Sequence, residues 1–166
     1  MIIANVVPEV HSKLISLAQR GLNLEPQVVG DEDIDLGIKI NIDQPDQAGA
    51  DRLVNAVAAR DLYDLPAIIL DFGTATTFDL VGRSGSYEGG IIAPGVNLSV
   101  EALYLAAARL PRLSVEPWEA DMPILGKDTV SAMNSGVFWG YVSMVEGLIE
   151  RLRRDHGPYL PVISTG

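Results

Sequence analysis

The sequence predicts an α/β fold: a mixed sheet flanked by helices. Three features point to it. Segments of strand period and helix period alternate along the chain, three strands in the middle follow one another with no helix between them, and the remaining strands are separated by helices. Consecutive strands require hairpins and helix-separated ones require crossovers, so one sheet holds both kinds of connection.

The elements follow in order. Ile2 to Val7 is an apolar run closed by Pro8, and from Glu9 the positions Leu14, Ile15, Leu17 and Ala18 recur at helical spacing until Gly21. Gln27 to Val29 reads as a short strand. Gly37 to Ile42 alternates Ile38, Ile40 and Ile42 with Lys39 and Asn41, the period of a strand with one wet face. After the polar turn from Asp43 to Gly49, helical spacing resumes at Leu53, Val54, Val57, Ala58 and Leu62, with alanines that suit close packing on a sheet. Ala67-Ile68-Ile69-Leu70 is the most apolar strand and ends in Asp71-Phe72-Gly73. Thr76 to Val81 and Tyr87 to Ile92 form a hairpin around Gly82-Arg83-Ser84-Gly85. A helix is expected from about Leu98 to Ala108, an acidic loop from Leu113 to Gly126, and a long helix from about Thr129 to Asp155, its apolar face running from Val130 through Met133, Val137, Tyr141, Met144 and Leu148 to Leu152. Gly157-Pro158 ends that helix, and Pro161 to Ser164 starts a last strand.

The chain has 166 residues, 12 Lys+Arg against 22 Asp+Glu for a net charge of −10, 48% apolar residues and no cysteine. That length buries a core without disulfides or a structural metal. The missing cysteines exclude disulfide scaffolds, thiolate zinc sites and thiol nucleophiles, and fit a reducing compartment. No run of 18 apolar residues occurs, and Met1-Ile-Ile-Ala-Asn does not read as a signal peptide. A soluble, cytoplasmic protein is expected. The acidic excess repels phosphodiester backbones and anionic lipid, so no nucleic-acid or membrane partner is expected. The one dense basic run, Arg151-Leu152-Arg153-Arg154, sits at a helix end, where the dipole favours cations anyway.

Four segments carry the chemistry. Asp71-Phe72-Gly73-Thr74-Ala75-Thr76-Thr77 sets a carboxylate at the end of a buried strand, then a glycine that lets main-chain N–H groups approach an anion, then three hydroxyls within four residues. A lone strand-end Asp-x-Gly is usually a plain turn; the hydroxyl cluster shifts the reading towards phosphate and a cation. Gly49-Ala50-Asp51-Arg52 opens a helix, where Asp51 can accept a hydroxyl proton and Arg52 can hold a carboxylate, or where both are simply a solvated first turn. In Tyr87-Glu88-Gly89-Gly90-Ile91-Ile92-Ala93-Pro94-Gly95 the glycine pair marks a bulge or a close approach, by a ligand or by packing. Gly136 and Gly140, four apart on the long helix, read as permitting a close helix crossing, and the two histidines, His11 and His156, as solvated. No Gly-x-Gly-x-x-Gly occurs. Gly126-Lys127-Asp128-Thr129 resembles the tail of a Walker A loop, but Asp121 stands where the first glycine belongs and Asp128 where the Ser/Thr belongs.

In this order, Gly49-Ala50-Asp51-Arg52, Asp71 to Thr77, Gly89 to Gly95 and Gly126-Lys127-Asp128-Thr129-Val130-Ser131-Ala132-Met133 resemble the type III pantothenate kinases, and the resemblance covers almost the whole chain. It implies a ribonuclease H-like or actin-like ATPase fold, with residues 1–62 as the remainder of an N-terminal domain and 63–166 as most of a C-terminal one. It implies ATP-dependent phosphorylation of pantothenate, the first step of coenzyme A synthesis, by a homodimer that uses ATP with magnesium and a monovalent cation, potassium or ammonium. Carried over by position, Asp51 is the base for the pantothenate hydroxyl, Gly49, Ala50, Asp51 and Arg52 hold the substrate, Thr129 reaches pantothenate from the neighbouring subunit, Asp71 binds the cation, and Gly73 and Thr74 contact ATP. Phe138, Trp139 and Tyr141 point to more than one face of the long helix, which suits burial of one of them by a partner.

Three departures accompany the resemblance. Family members carry an Asp-x-Gly-Asn-Thr phosphate turn before the segment matching Ile2 to Val7, and continue beyond the segment matching Ser164-Thr165-Gly166; neither stretch is in this sequence. Ile42 stands where many members have a tyrosine near the substrate. A non-catalytic binding or regulatory module of the same fold, resembling accessory transcription factors, is the alternative reading, and a sugar or acyl kinase of the same superfamily a third. Because both missing stretches fall on the ATP side, the 166-residue chain is expected to bind ATP poorly and to show little or no kinase activity; ADP release at a full enzymatic rate from this polypeptide alone contradicts that expectation.

Overall fold

The N-terminal apolar run forms only a two-residue strand, β1 (Ile2–Ile3), which pairs in parallel with β2 (Gln27–Val28) in the register Ile2↔Gln27 and Ile3↔Val28. The run stops early because Asn5 turns the backbone on itself: its side chain accepts from the Val7 N–H at 3.2 Å and donates to the Val7 carbonyl at 2.9 Å. Helix α1 (Pro8–Ser16) starts on a proline, which has no N–H to leave unpaired, and runs into a π-helical turn over Leu17–Gly21. These coordinates come from a computed structural model that describes residues 1–31, 34–106, 110–113 and 123–166.

The strand expected over Gly37 to Ile42 reduces to a single parallel bridge, Ile40↔Tyr87, bracketed by Asn41 N–H to Tyr87 O at 2.8 Å and Tyr87 N–H to Lys39 O at 2.9 Å. Two residues on, Gly89 takes φ +104°, a conformation that L side chains rarely adopt and that distorts the strand edge at the next pairing position. Helix α2 (Ala50–Leu62) buries Ala50, Leu53, Ala56 and Ala59, one face of a helix with small side chains.

Three strands follow consecutively as expected: β3 (Ala67–Phe72), β4 (Ala75–Val81) and β5 (Tyr87–Pro94). Their connections are too short for crossovers, so these pairs are antiparallel. Gly85 makes the second turn at φ +81°. Helix α3 (Val96–Ala106) covers most of the helix expected from Leu98; residues 107 and 108 of that expectation, and most of the acidic loop with Asp121, lie outside the described residues. Helix α4 (Thr129–His156) ends at Gly157, φ +142°, with Arg153, Arg154 and His156 in its last turn, where the dipole favours cations. Strand β6 (Val162–Thr165) completes a sheet of order β5-β4-β3-β6.

The chain divides into two compact units, Met1–Ile69 with Asp79–Gly90, and Leu70–Phe78 with Ile91–Gly166. In the second, Leu70, Phe78 and Ala93 form a buried cluster against Met144, Val145, Leu148, Ile149 and Leu152 of α4 and Val162 of β6. The apolar face expected along α4 therefore divides by position. Its C-terminal half covers strands, whereas Met133, Val137 and Tyr141 of its N-terminal half line an open groove. Phe78 is fully buried. Phe78→Ala is expected to cost about 3–5 kcal/mol of stability through lost burial and a cavity; a urea unfolding curve that moves by less than about 1 kcal/mol contradicts this account of the core.

Candidate active site

Gly49–Arg52 lies in the first unit, and Asp71, Gly73, Thr74 and Thr129 lie in the second. Gly49 is the cap residue of α2, in extended conformation, and has no side chain with which to cap. Asp51 supplies the missing acceptor: its Oδ1 takes the Arg52 N–H at 2.9 Å. A Cβ on Gly49 would come within 2.6 Å of that same oxygen, so glycine is the residue that leaves the Asp51 carboxylate its place. Asp51 is exposed. A carboxylate in the first turn of a helix is favoured by the dipole and remains open to a ligand.

Arg52 turns the other way, inwards. Its Nε and Nη2 both donate to Oδ1 of Asp79, at 2.8 and 2.5 Å, and its side chain is only 13% exposed against 0% for Asp79. The hydroxyl of Tyr87 donates to the same oxygen at 2.9 Å, and the guanidinium carbon lies 5.6 Å from the centre of the Tyr87 ring. Burial opposes the guanidinium charge, but the hydrogen bonds and charge of Asp79 outweigh it and hold Arg52 above its ordinary pKa. Burial pushes the Tyr87 phenol up, with the Asp79 charge adding to it, so Tyr87 stays a neutral donor. The solvated Arg52 of an ordinary first turn is thus not what the chain forms. The Nε/Nη2 edge that could have gripped a ligand carboxylate is occupied from within.

In the second unit, Asp71 is half-buried near the end of β3, and Gly73 and Thr74 form the exposed two-residue turn into β4. The Gly73 N–H donates to Ala75 O at 3.0 Å, so it is engaged within the turn. Of the three hydroxyls, Thr74 alone is exposed; Thr76 and Thr77 are buried, and Thr76 hydrogen-bonds the Tyr141 hydroxyl. Gly95 donates its N–H to Thr74 O at 3.0 Å, and a Cβ there would collide with the carbonyl oxygens of both Gly73 and Thr74. A glycine at 95 is needed for the turn to sit where it does. Gly166 lies against the Phe72 main chain in the same way, which brings Ser164-Thr165-Gly166 beside this corner.

Thr129 is the exposed first residue of α4. Its place is set by a capping box in which Asp128 accepts the Ser131 N–H at 3.0 Å and Ser131 Oγ accepts the Asp128 N–H at 3.2 Å. It sits among the residues of a largely apolar groove of about 740 Å³ between α3 and α4. Gly136 and Gly140 line that groove with nothing within 4 Å of a would-be Cβ, so among the described residues they make no close helix crossing. Tyr141 is held within its own unit by Thr76 and by the Phe72 ring at 6.3 Å, while Trp139 is exposed and meets Phe138 edge-on at 5.2 Å.

The sequence reading overlooked Asp79 and treated Tyr87 only as the start of a strand. The signal was present: a carboxylate inside a strand of apolar and hydroxyl residues is tolerated only when paired. Gly89 takes φ +104°, and Ile42 Cγ2 lies 3.3 Å from the position of an added Cβ, so backbone conformation and packing both favour glycine there.

Compared with solved structures, the chain matches a Campylobacter jejuni protein assigned to the Baf family of transcriptional activators, with TM-score 0.55 at 20% identity over 89% of this chain and 62% of that one. At that identity the likeness speaks for the fold alone. The mixed α/β arrangement is that of the actin-like ATPase fold, to which the type III pantothenate kinase family belongs. Within it, the family model for type III pantothenate kinases matches residues 1–151. The curated type III pantothenate kinases of Paramagnetospirillum magneticum and Caulobacter vibrioides are each 52% identical to this chain, over 99% and 100% of its length. The chain belongs to the type III pantothenate kinase family. It spans 62% and 63% of the length of those two relatives.

The cap that positions Thr129 can be tested by itself. The N–H and hydroxyl of Ser131 hold the Asp128 carboxyl below its ordinary pKa, so its contribution is complete above the unfolded value and is lost as pH falls through the folded one. Asp128→Ala is expected to lower the melting temperature at neutral pH, with the difference from the unsubstituted chain shrinking from about pH 4 downwards; a difference that persists unchanged at acid pH contradicts the assignment.

Proposed function

We propose that this chain is the central and C-terminal part of an ATP-dependent pantothenate kinase that carries out the first step of coenzyme A synthesis. Residues 1–62 are read as the remainder of an N-terminal actin-like domain and 63–166 as most of a C-terminal one. The observation that carries the reading is the exposed Asp51 carboxylate at the head of α2, next to an arginine fixed by a buried acid, in a chain that matches this family over nearly all its length.

In this reading Gly49, Ala50, Asp51 and Arg52 hold pantothenate, and Asp51 takes the proton of its hydroxyl as the phosphoryl group arrives. Asp51 is suited to this because it is open to a ligand while Arg52 and the Gly49 cap fix the backbone beneath it. Phosphoryl transfer passes through a loose transition state, so most of the acceleration comes from positioning and charge stabilisation, and the base adds a smaller factor. Thr129, from a neighbouring subunit, reaches the same substrate. The open groove beside it and the exposed Trp139 support a homodimer as the assembly.

Thr74, the exposed hydroxyl of the β3–β4 turn, and Gly73 are the proposed ATP contacts, Thr74 through its side chain and Gly73 by letting the triphosphate approach the main chain. Magnesium bound with ATP neutralises triphosphate charge. Asp71 is the proposed ligand of a monovalent cation, potassium or ammonium. Among the described residues no group of three His, Asp or Glu converges. A single carboxylate suits a singly charged ion better than a transition metal, which takes several nitrogen, sulfur or carboxylate ligands. The protein is proposed to act in the cytoplasm; no described helix is long and apolar enough to cross a membrane.

The test is single-turnover ADP release with protein in excess over pantothenate, which registers even a weak activity, together with pantothenate titration by calorimetry. Asp51→Asn is expected to slow phosphoryl transfer by about 10²–10⁴-fold with affinity nearly unchanged. An unchanged rate removes Asp51 as the base. Pantothenate binding by the unsubstituted chain supports the substrate side of this reading even where transfer is slow, and no binding of pantothenate favours the non-catalytic module of the same fold.

A further inference from the structure

An arginine in the first turn of a helix stands against the helix dipole, which favours anions there. Arg52 is the third residue of α2, and its side chain is largely withdrawn from water. Among the described residues its ion-pair partner is Asp79, 27 positions away and itself fully buried, in a strand whose neighbours Phe78, Leu80 and Val81 are all buried as well. Burying such a pair in place of apolar side chains is a poor route to stability. Three donors on one oxygen, Nε and Nη2 of Arg52 and the hydroxyl of Tyr87, are instead a good way to fix a planar group in one orientation. The Tyr87 ring beneath the guanidinium adds a second restraint.

We propose that Asp79 and Tyr87 are positioning residues: they clamp the inner edge of the Arg52 guanidinium so that its terminal nitrogens meet the carboxylate of the substrate in a fixed direction. The inference rests on pantothenate being that substrate. Asp79 also offsets the charge of Arg52, so recognition relies on hydrogen-bond direction more than on net positive charge. This separates the clamp from simple electrostatics. Removing a buried negative charge beside a binding arginine should tighten an anion if charge alone matters, and loosen it if orientation matters.

The test uses the whole 166-residue chain with Asp79→Asn, Tyr87→Phe and Arg52→Met, each checked for folding by its amide NMR spectrum. In the unsubstituted chain the Arg52 Nε–H is expected as a resolved, slowly exchanging resonance, lost in Asp79→Asn and exchanging faster in Tyr87→Phe. Pantothenate affinity is expected to fall by about tenfold or more in Asp79→Asn and by less in Tyr87→Phe. The alcohol analogue that lacks the carboxylate should bind all of them alike. In the Arg52→Met background, Asp79→Asn should cost nothing further. Equal or tighter pantothenate binding by Asp79→Asn, the same loss in the Arg52→Met background, or a rapidly exchanging Nε–H in the unsubstituted chain overturns the proposal. If the unsubstituted chain binds neither pantothenate nor its alcohol analogue, the pantothenate reading falls, and the Nε–H signal, which needs no ligand, decides the clamp.

Discussion

One carboxylate oxygen, Oδ1 of Asp79, receives Arg52 through two nitrogens and Tyr87 through its hydroxyl, and the candidate chemistry of the first unit depends on it. The Asp79 side chain is wholly buried, so as an isolated ion it would be untenable there; the guanidinium makes it tolerable. In return Asp79 holds a cation in a helical turn whose dipole disfavours it. Each charge is the condition for the other. The head of α2 is tied to β4 and β5 by polar bonds with defined directions, alongside the burial of Ala50 and Leu53, and Asp51 stands one residue away on that anchored turn.

A comparable constraint, steric rather than electrostatic, shapes the second unit. Gly95 leaves room for the carbonyl oxygens of the Gly73-Thr74 turn, and Gly166 leaves room for the Phe72 main chain. Neither has a side chain to contribute, yet each decides how closely backbone can gather around the end of β3. The buried cluster of Leu70, Phe78 and Ala93 under α4 holds the strands that carry this corner. Apolar burial supplies the scaffold, and missing side chains supply the access.

The elements legible in the sequence were the longer ones with a sustained local pattern. Ala67 to Leu70, the hairpin that follows it and α4 are set by local pattern, and all three form at nearly the expected bounds. Gly37 to Ile42 has the right alternation but meets a partner strand distorted at Gly89, and a single bridge forms. Ile2 to Val7 is cut short by the side chain of Asn5. In the candidate site the positions of Asp51, Thr74 and Thr129 at a helix head, a strand turn and a helix start followed from local signals. The inward turn of Arg52 did not. Its partner lies 27 positions along the chain, and periodicity within a segment says nothing about pairing across that distance.

The most direct measurement is a crystal structure of the protein with pantothenate bound. The account predicts the substrate hydroxyl within hydrogen-bond reach of the Asp51 carboxylate, about 2.6–3.2 Å, with Arg52 still resting on Asp79 and Tyr87. Pantothenate bound away from the head of α2, or an Arg52 that has left Asp79 to reach it, would contradict the account.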